Sequence, residues 1–72
     1  MQDSQKIIKQ IGKNIAAIRK RKGFKQNDLA QMCEFEKSNM ARIENGNTNP
    51  TIKTLIKIAR ALEVDLGEII KD

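Results

Sequence analysis

Residues 26–46, which read QNDLAQMCEFEKSNMARIENG, decide the fold of this chain. Their apolar spacing predicts a short helix over 26–32 and a second short helix over 37–45. A tight turn at 33–36 joins the two helices, and Gly46 is a residue type that commonly follows the end of a helix. Two helices joined in this way cross steeply and need a small residue where they touch. The residues predicted to face inward at that crossing are Leu29, Ala30, Met32, Met40 and Ile43.

The sequence on either side of this stretch predicts three more helices. Isoleucines at helical spacing predict a first helix over 4–22, which Gly23 ends. Thr51 is a favourable N-cap for a fourth helix, and Asp65 with Glu68 resembles the capping box of a short fifth helix. The inward-facing residues of these helices are predicted to be Ile7, Ile8, Ile11, Ile15, Ile18, Ile52, Leu55, Ile56, Ala59, Leu62, Leu66, Ile69 and Ile70. No segment has a strand pattern, so the predicted fold class is all-α, with five helices around one core.

The length and the charge of the chain limit its size class and its partners. A chain of 72 residues predicts a single domain over 1–72. Charged residues make up 32% of the chain and aromatic residues 3%, a balance typical of a small helical domain with an aliphatic core. The net charge is +5, and positions 1–25 contain eight of the 14 Lys and Arg residues against one acidic residue, Asp3. A positive charge concentrated in this way favours a polyanionic partner.

The single cysteine, Cys33, has no partner for an internal disulfide, as is typical of proteins in a reducing compartment. The first ten residues lack the apolar segment of a signal peptide, and no run of residues is apolar and long enough to span a bilayer. A cytoplasmic location is therefore expected. Since the sequence has no His, Cys33 is interpreted as a core residue, and no cofactor, metal site or small-molecule ligand is expected.

The two short helices, at about 26–45, have the pattern of a helix-turn-helix, and the chain from 11 to 70 resembles the phage repressor and Cro-type family of Xre-like regulators. The residues that carry this resemblance are Gly12, Lys13, Asn14, Ile15, Arg19, Gly23, Phe24, Gln26, Leu29, Ala30, Ile43, Glu44, Asn45, Gly46, Asn49, Pro50, Thr51, Leu55, Ala61 and Leu62. The resemblance implies a lambda-repressor-like DNA-binding domain and a sequence-specific transcriptional regulator. The regulator is expected to be a repressor that binds double-stranded DNA at a two-fold symmetric operator as a homodimer. An enzyme is not expected, because a chain without His, Tyr, Trp or a glycine-rich phosphate loop lacks the usual catalytic groups.

The resemblance also implies roles for individual residues. Base contacts in the major groove are implied for Lys37, Ser38, Asn39 and Arg42. Phosphate contacts are expected of Lys25, Gln26, Asn45, Asn47 and Thr48. A buried structural ion pair is implied between Arg19 and Glu44. The helical period supports the base-reading face, because an inward Met40 places Ser38 and Arg42 outward, where an Arg can donate to guanine O6 and N7.

Three positions depart from the family pattern. Glu34 occupies a turn position where glycine is usual because the backbone favours a positive φ, and the cost of another residue is on the order of 1 kcal/mol. Lys25 and Glu36 replace the Ser or Thr that is usual at the two N-caps. The Glu36 carboxylate either caps the following helix or lies close to DNA, and capping is the favoured interpretation.

Other interpretations of the same sequence stay open. The chain could be a protein-interaction module, or an antitoxin-type partner of a second protein, that uses the same fold. As a regulator, its size suits a restriction-modification controller, an antitoxin or a mobile-element repressor. Dimer contacts are predicted in the apolar segment 64–70. The outer face of the first helix is interpreted as a solvated surface that attracts DNA, in preference to a membrane-binding surface; its basic residues are Lys6, Lys9, Lys13 and Lys20.

Overall fold

The computed structural model of the protein describes residues 3–71, and five α-helices lie in this range. The helices are α1 (Ser4–Arg21), α2 (Gln26–Met32), α3 (Lys37–Glu44), α4 (Ile52–Leu62) and α5 (Leu66–Ile70). No strand occurs between residues 3 and 71, and the predicted all-α fold class is confirmed. Across the same residues, no helix combines the length and the hydropathy that are needed to cross a bilayer.

The core lies between all five helices and consists of aliphatic side chains and the Cys33 thiol. α1 contacts each of the other helices, and α4 packs against α1, α2 and α5. The buried apolar residues are Ile15, Ile18, Leu29, Ala30, Cys33, Met40, Ile43, Leu55, Ile58, Ala59, Leu62 and Ile69. The small Ala30 is buried where α2 meets its neighbours, as the pattern predicts, and Cys33 belongs to the core.

The ends of the helices lie within one residue of the predicted positions. α1 ends at Arg21 and α3 at Glu44, each one residue earlier than predicted. Gly46 follows α3 with φ 73°, a left-handed conformation that glycine adopts without strain. The Asn47 N–H then donates to the Arg42 carbonyl at 2.9 Å, which closes the last turn of the helix.

The N-terminal caps follow the prediction at α4 and depart from it elsewhere. Thr51 caps α4, since its Oγ1 accepts a hydrogen bond from the third helical N–H at 3.1 Å. Lys25 lacks an acceptor, but Asp28 Oδ2 accepts from the Lys25 N–H at 2.8 Å and supplies half of a capping box. The predicted caps by Glu36 and Asp65 are wrong, because neither carboxylate accepts a hydrogen bond from its helix. Both side chains are exposed, where water can hydrate the helix N–H groups.

The predicted inward-facing set is wrong at five apolar positions. The exposed residues are Ile7, Met32, Ile52, Ile56 and Ile70. By contrast Ile58, which the sequence pattern does not place in the core, is fully buried. On α4, isoleucines at 52, 56 and 58 allow two alternative apolar stripes, and packing against three other helices selects the stripe that contains Ile58.

The segment 64–70 packs on α1 of the same chain. Ile69 is fully buried. Asn14 Nδ2 donates hydrogen bonds to the backbone oxygens of Ile69 at 2.8 Å and Lys71 at 2.7 Å. The prediction of dimer contacts in this segment is therefore wrong for Ile69, because its side chain is buried in the core of its own chain. Ile70 is exposed.

Gly12 allows α1 and α3 to approach each other closely. A Cβ at this position would lie 2.5 Å from the backbone oxygen of Glu44 and 2.6 Å from that of Ile43. A hydrogen atom is therefore the only side chain that fits. The contact lays α1 along the C-terminal end of α3 and the loop that follows it.

Replacing Glu34 with glycine is expected to raise the free energy of unfolding by about 1 kcal/mol, and Tm by about 4–8 °C. Glu34 has φ 58°, a conformation that strains any residue with a Cβ. Its ion pair with Lys57 is 3.7 Å long and its side chain is 85% exposed, so the loss of the carboxylate costs little. Thermal melts of Glu34→Gly and Glu34→Ala check this, because alanine removes the carboxylate and keeps the strain. Equal melting temperatures for the two variants would contradict it.

Candidate nucleic-acid interface

One side of α3 faces solvent along the length of the helix. Lys37, Ser38 and Arg42 are exposed and Asn39 is half-buried, while Met40 points into the core. Among residues 3–71, no side-chain hydrogen bond or ion pair engages the four polar residues. The residues predicted to read bases therefore share one helix, and their donors and acceptors are available to a ligand.

The residues predicted to contact phosphates come from two segments that the fold brings together. Lys25 and Gln26 lie at the start of α2. The others follow the helical part of α3 and are Asn45, Asn47 and Thr48. Gln26 Nε2 donates to Glu44 Oε1 at 3.0 Å, so the start of α2 lies beside the end of α3. The start of α2 therefore lies close to the C-terminal end of α3, where the second segment begins.

A buried ion pair joins α1 to α3, between the two residues that the resemblance pairs. Arg19 Nε donates to Glu44 Oε2 at 2.8 Å, and Arg19 Nη2 donates to Glu44 Oε1 at 3.1 Å. Arg19 Nη1 donates to the Phe24 carbonyl at 2.9 Å. The two side chains are only 10% and 4% exposed. Because both carboxylate oxygens and all three guanidinium nitrogens have partners, the buried charges are compensated, and α1, α2 and α3 are held in one arrangement.

The side-chain amide of Gln26 is oriented by this ion pair. A carboxylate can only accept, so the amide nitrogen of Gln26 must face Glu44, and its second N–H is left for a ligand. The contact therefore sets the direction of a donor at the start of α2 before any ligand binds. Sequence reasoning missed this link, because 18 residues separate the two positions and neither residue type specifies its partner.

The first turns of α1 lie against the loop that follows α3. Gln5 Nε2 donates to the Gly46 carbonyl at 2.9 Å. Lys9 packs so closely on Gly46 that a Cβ there would lie 2.6 Å from Lys9 Cγ. Sequence reasoning accounts for Gly46 as the residue that ends a helix, but it missed this contact with α1. The only local signal for the contact is that position 46 has no side chain.

The acidic residues around the turn between α2 and α3 differ in their partners. The Asp28 carboxylate accepts from a backbone N–H, and Glu34 Oε1 lies 3.7 Å from Lys57 Nζ. Lys57 Nζ also lies 5.5 Å from the centroid of the Phe35 ring. Glu36, directly before α3, is exposed. Its carboxylate is therefore a solvent-exposed acidic group at the start of α3.

The core thiol of Cys33 is not set up for metal or thiolate chemistry. Burial raises the pKa of the Cys33 thiol, and the positive charge of Lys57 lowers it by a smaller amount. The thiol therefore stays protonated at neutral pH and behaves as an apolar side chain. Within the part of the chain that the structure describes, no three His, Cys, Asp or Glu side chains are grouped so as to hold a metal ion.

The chain matches the helix-turn-helix family model HTH_3 over residues 15–69. It is 43% identical over 60 residues to the HTH-type transcriptional regulator SlrR of Bacillus subtilis, and the match covers 82% of this chain and 40% of SlrR. It is 35% identical over 60 residues to the immunity repressor protein of Bacillus phage phi105, covering 83% of this chain and 42% of that protein. The chain thus spans about two fifths of the length of these two relatives. The restriction-modification controller protein C.AhdI from Aeromonas hydrophila has a similar structure, with a TM-score of 0.89 at 25% identity over 94% of this chain and 99% of that chain.

The family match includes the whole of α2 and α3 and most of the core. The resemblance to phage repressor and Cro-type regulators is confirmed by these similarities. The prediction that the chain is not an enzyme is confirmed as well, since the relatives that it matches are a transcriptional regulator and a repressor with the same helix-turn-helix fold. The chain belongs to the helix-turn-helix family of DNA-binding transcriptional regulators.

Proposed function

We propose that the chain is a sequence-specific transcriptional repressor that binds a two-fold symmetric DNA operator as a homodimer. The observation that carries the proposal is the exposed side of α3, on which Lys37, Ser38 and Arg42 face solvent next to the oriented amide of Gln26. The major groove of B-DNA is about 12 Å wide and admits an α-helix. α3 is accordingly the recognition helix of the proposal.

Arg42 is the main base-reading residue in this proposal. Its guanidinium is exposed in the last turn of α3, and an Arg in this position can donate two parallel hydrogen bonds to O6 and N7 of one guanine. Lys37, Ser38 and Asn39 read neighbouring bases from the same helix. Glu36, which does not cap α3, accepts from a cytosine amino group where one is present and disfavours other bases at that position.

The DNA backbone is held by the start of α2 and by the segment 45–48. Lys25 supplies a positive charge, and Gln26 supplies the N–H that its bond to Glu44 leaves free. Phosphate contacts of this kind set the register of the protein on DNA without reading its sequence. The buried ion pair contributes indirectly, because it holds the Gln26 amide in a fixed direction.

The homodimer is proposed because one recognition helix makes few base contacts. Two copies related by a two-fold axis read half-sites about 34–36 Å apart, which doubles the contacts. The apolar side chains that the fold leaves exposed are candidates for the dimer surface. They include Ile52 and Ile56, one turn apart on α4, and Ile70 on α5. Repression and a cytoplasmic location are part of the same proposal, the former supported by the named role of the phage relative.

Selection from a library of random DNA duplexes tests the proposed function. At roughly 150 mM salt, purely electrostatic binding is suppressed. We expect recovery of a pseudo-palindrome with a fixed half-site spacing, and a complex of two chains per duplex by light scattering. Recovery of no sequence by folded protein would contradict the proposal and favour a protein-interaction role, for which a partner chain would then be sought by pull-down.

A further inference from the structure

We propose that the first turns of α1 form a second contact with the DNA phosphate backbone, through a lysine ridge that consists of Lys6, Lys9 and Lys13. The proposal rests on the DNA-binding function above and adds a site to it. The ligand is the phosphodiester backbone of duplex DNA that continues past the phosphates held by the segment 45–48.

The position of the ridge follows from two contacts with the loop after α3. Gln5 Nε2 donates to the Gly46 carbonyl at 2.9 Å. A Cβ on Gly46 would lie 2.6 Å from Lys9 Cγ and 2.9 Å from Lys9 Cα, so α1 and this loop are in van der Waals contact. Because Gly12 has no side chain, the next turn of α1 lies directly against the backbone oxygens of Ile43 and Glu44 at the end of α3. Lys9 is thus attached to the same loop that carries Asn47 of the phosphate-binding set.

The charge of the ridge is not neutralised by neighbouring groups. Its three lysines are exposed, and none takes part in an ion pair among residues 3–71. The acidic residue closest to them in sequence, Asp3, accepts the Gln5 N–H at 3.1 Å and caps the helix. By contrast, Lys57 and Lys71 each lie within ion-pair distance of a glutamate.

The spacing of the ridge matches that of a DNA strand. Residues three and four apart share one side of a helix, so the three lysines form a single row. The rise from Lys6 to Lys13 is about 10 Å at 1.5 Å per residue. A DNA strand presents one phosphate per about 3.4 Å of helix axis, and successive phosphates lie farther apart than this because the strand winds around the axis, so a row of this length reaches about two phosphates.

This part of α1 lies outside the family match, which begins at residue 15. The family-model match therefore does not by itself assign a role to the first turns of α1. A separate role in DNA binding explains why these turns carry uncompensated positive charge and why they are fastened to the loop after α3.

The salt dependence of operator binding tests the proposal. The ridge variant Lys6→Gln/Lys9→Gln/Lys13→Gln is compared with a control that removes the same charge elsewhere, Lys57→Gln/Arg60→Gln/Lys71→Gln. Each phosphate contact contributes about −0.9 to the slope of log K against log salt concentration. We expect the ridge variant to lower the magnitude of this slope by about 2, and the control by less than about 0.5. The preference for the operator over random DNA should stay within about twofold in both, because phosphate contacts do not read sequence.

Neutral phosphate analogues locate the contact. A methylphosphonate at a phosphate that touches the ridge should weaken the native protein and leave the ridge variant unaffected, as expected for a coupled pair. Equal slope changes in the ridge and control variants, together with the absence of such a coupled phosphate, would overturn the proposal. The lysines would then act only through long-range electrostatic attraction. If the ridge variant does not fold, Lys9→Gln alone should lower the slope by about 1. Binding of the native protein to a selected operator supports the proposed function whatever these variants show, so failure of the lysine-ridge proposal and failure of the proposed function are distinguishable.

Discussion

Replacing Glu44 with alanine is expected to lower the free energy of unfolding by about 3–5 kcal/mol, because it leaves the Arg19 guanidinium buried without its counter-charge. The substitution removes both hydrogen bonds from Arg19 and the one from Gln26. A protein of this length has a total stability of roughly 4–11 kcal/mol. The variant is therefore expected to lose a large part of its stability, with Tm lowered by at least about 12 °C in a thermal melt.

A double substitution distinguishes the cost of leaving Arg19 without its counter-charge from the net contribution of the ion pair to the free energy of unfolding. In Arg19→Met/Glu44→Met both buried charges are replaced by apolar side chains of similar length, which is often close to neutral. We expect this variant to melt well above Glu44→Ala. A Glu44→Ala protein with native Tm that fails to bind DNA would contradict the structural role of the pair and make Glu44 part of the DNA contact.

Arg42→Ala is expected to abolish discrimination at one base pair of the operator. The loss amounts to about 1–3 kcal/mol, or roughly 5- to 150-fold in the preference for guanine. The side chain is exposed and has no hydrogen bond or ion pair within residues 3–71, so stability should change by less than about 0.5 kcal/mol. Binding constants for operators with each of the four bases at each position measure the effect.

Asn47→Ala is the matched control for base reading. Asn47 is exposed in the loop after α3, and its removal should weaken binding to every operator variant by a similar factor. Gln26 is less suitable as a control, because its truncation also removes a hydrogen bond from the buried Glu44. A uniform loss of affinity across the base-substituted operators for Arg42→Ala would remove it from the base-reading set.

Local chemistry determined the helices of this protein. The cap of α4 by Thr51 follows from residue types within a few positions of the helix start, whereas the starts of α2 and α3 were placed by the apolar pattern. The ends at Gly23 and Gly46 follow from the need for positive φ, which few residues supply. The exposure of Ser38 and Arg42 follows from the inward position of Met40 and the helical period. These features were predictable because each depends on neighbours in the sequence.

The tertiary structure decided which of several compatible arrangements the helices adopt. The apolar pattern of α4 fits two rotations about its axis, and only packing against α1, α2 and α5 buries Ile58 and exposes Ile52. Glu63 likewise takes φ 58° at the end of α4, a strain that no local signal reveals and that the rest of the fold must impose.

Polar contacts between distant segments, including those beside the proposed DNA-binding surface, also come from the tertiary structure. Gln26 meets Glu44 across 18 positions, Gln5 meets Gly46 across 41, and Asn14 meets Ile69 across 55. A long polar side chain can donate to almost any acceptor, so its residue type does not name a partner. The sequence therefore determined the helices and the side of α3 that faces solvent, whereas the close approach of distant segments, above all at Gly12 and Gly46, was decided by the tertiary structure.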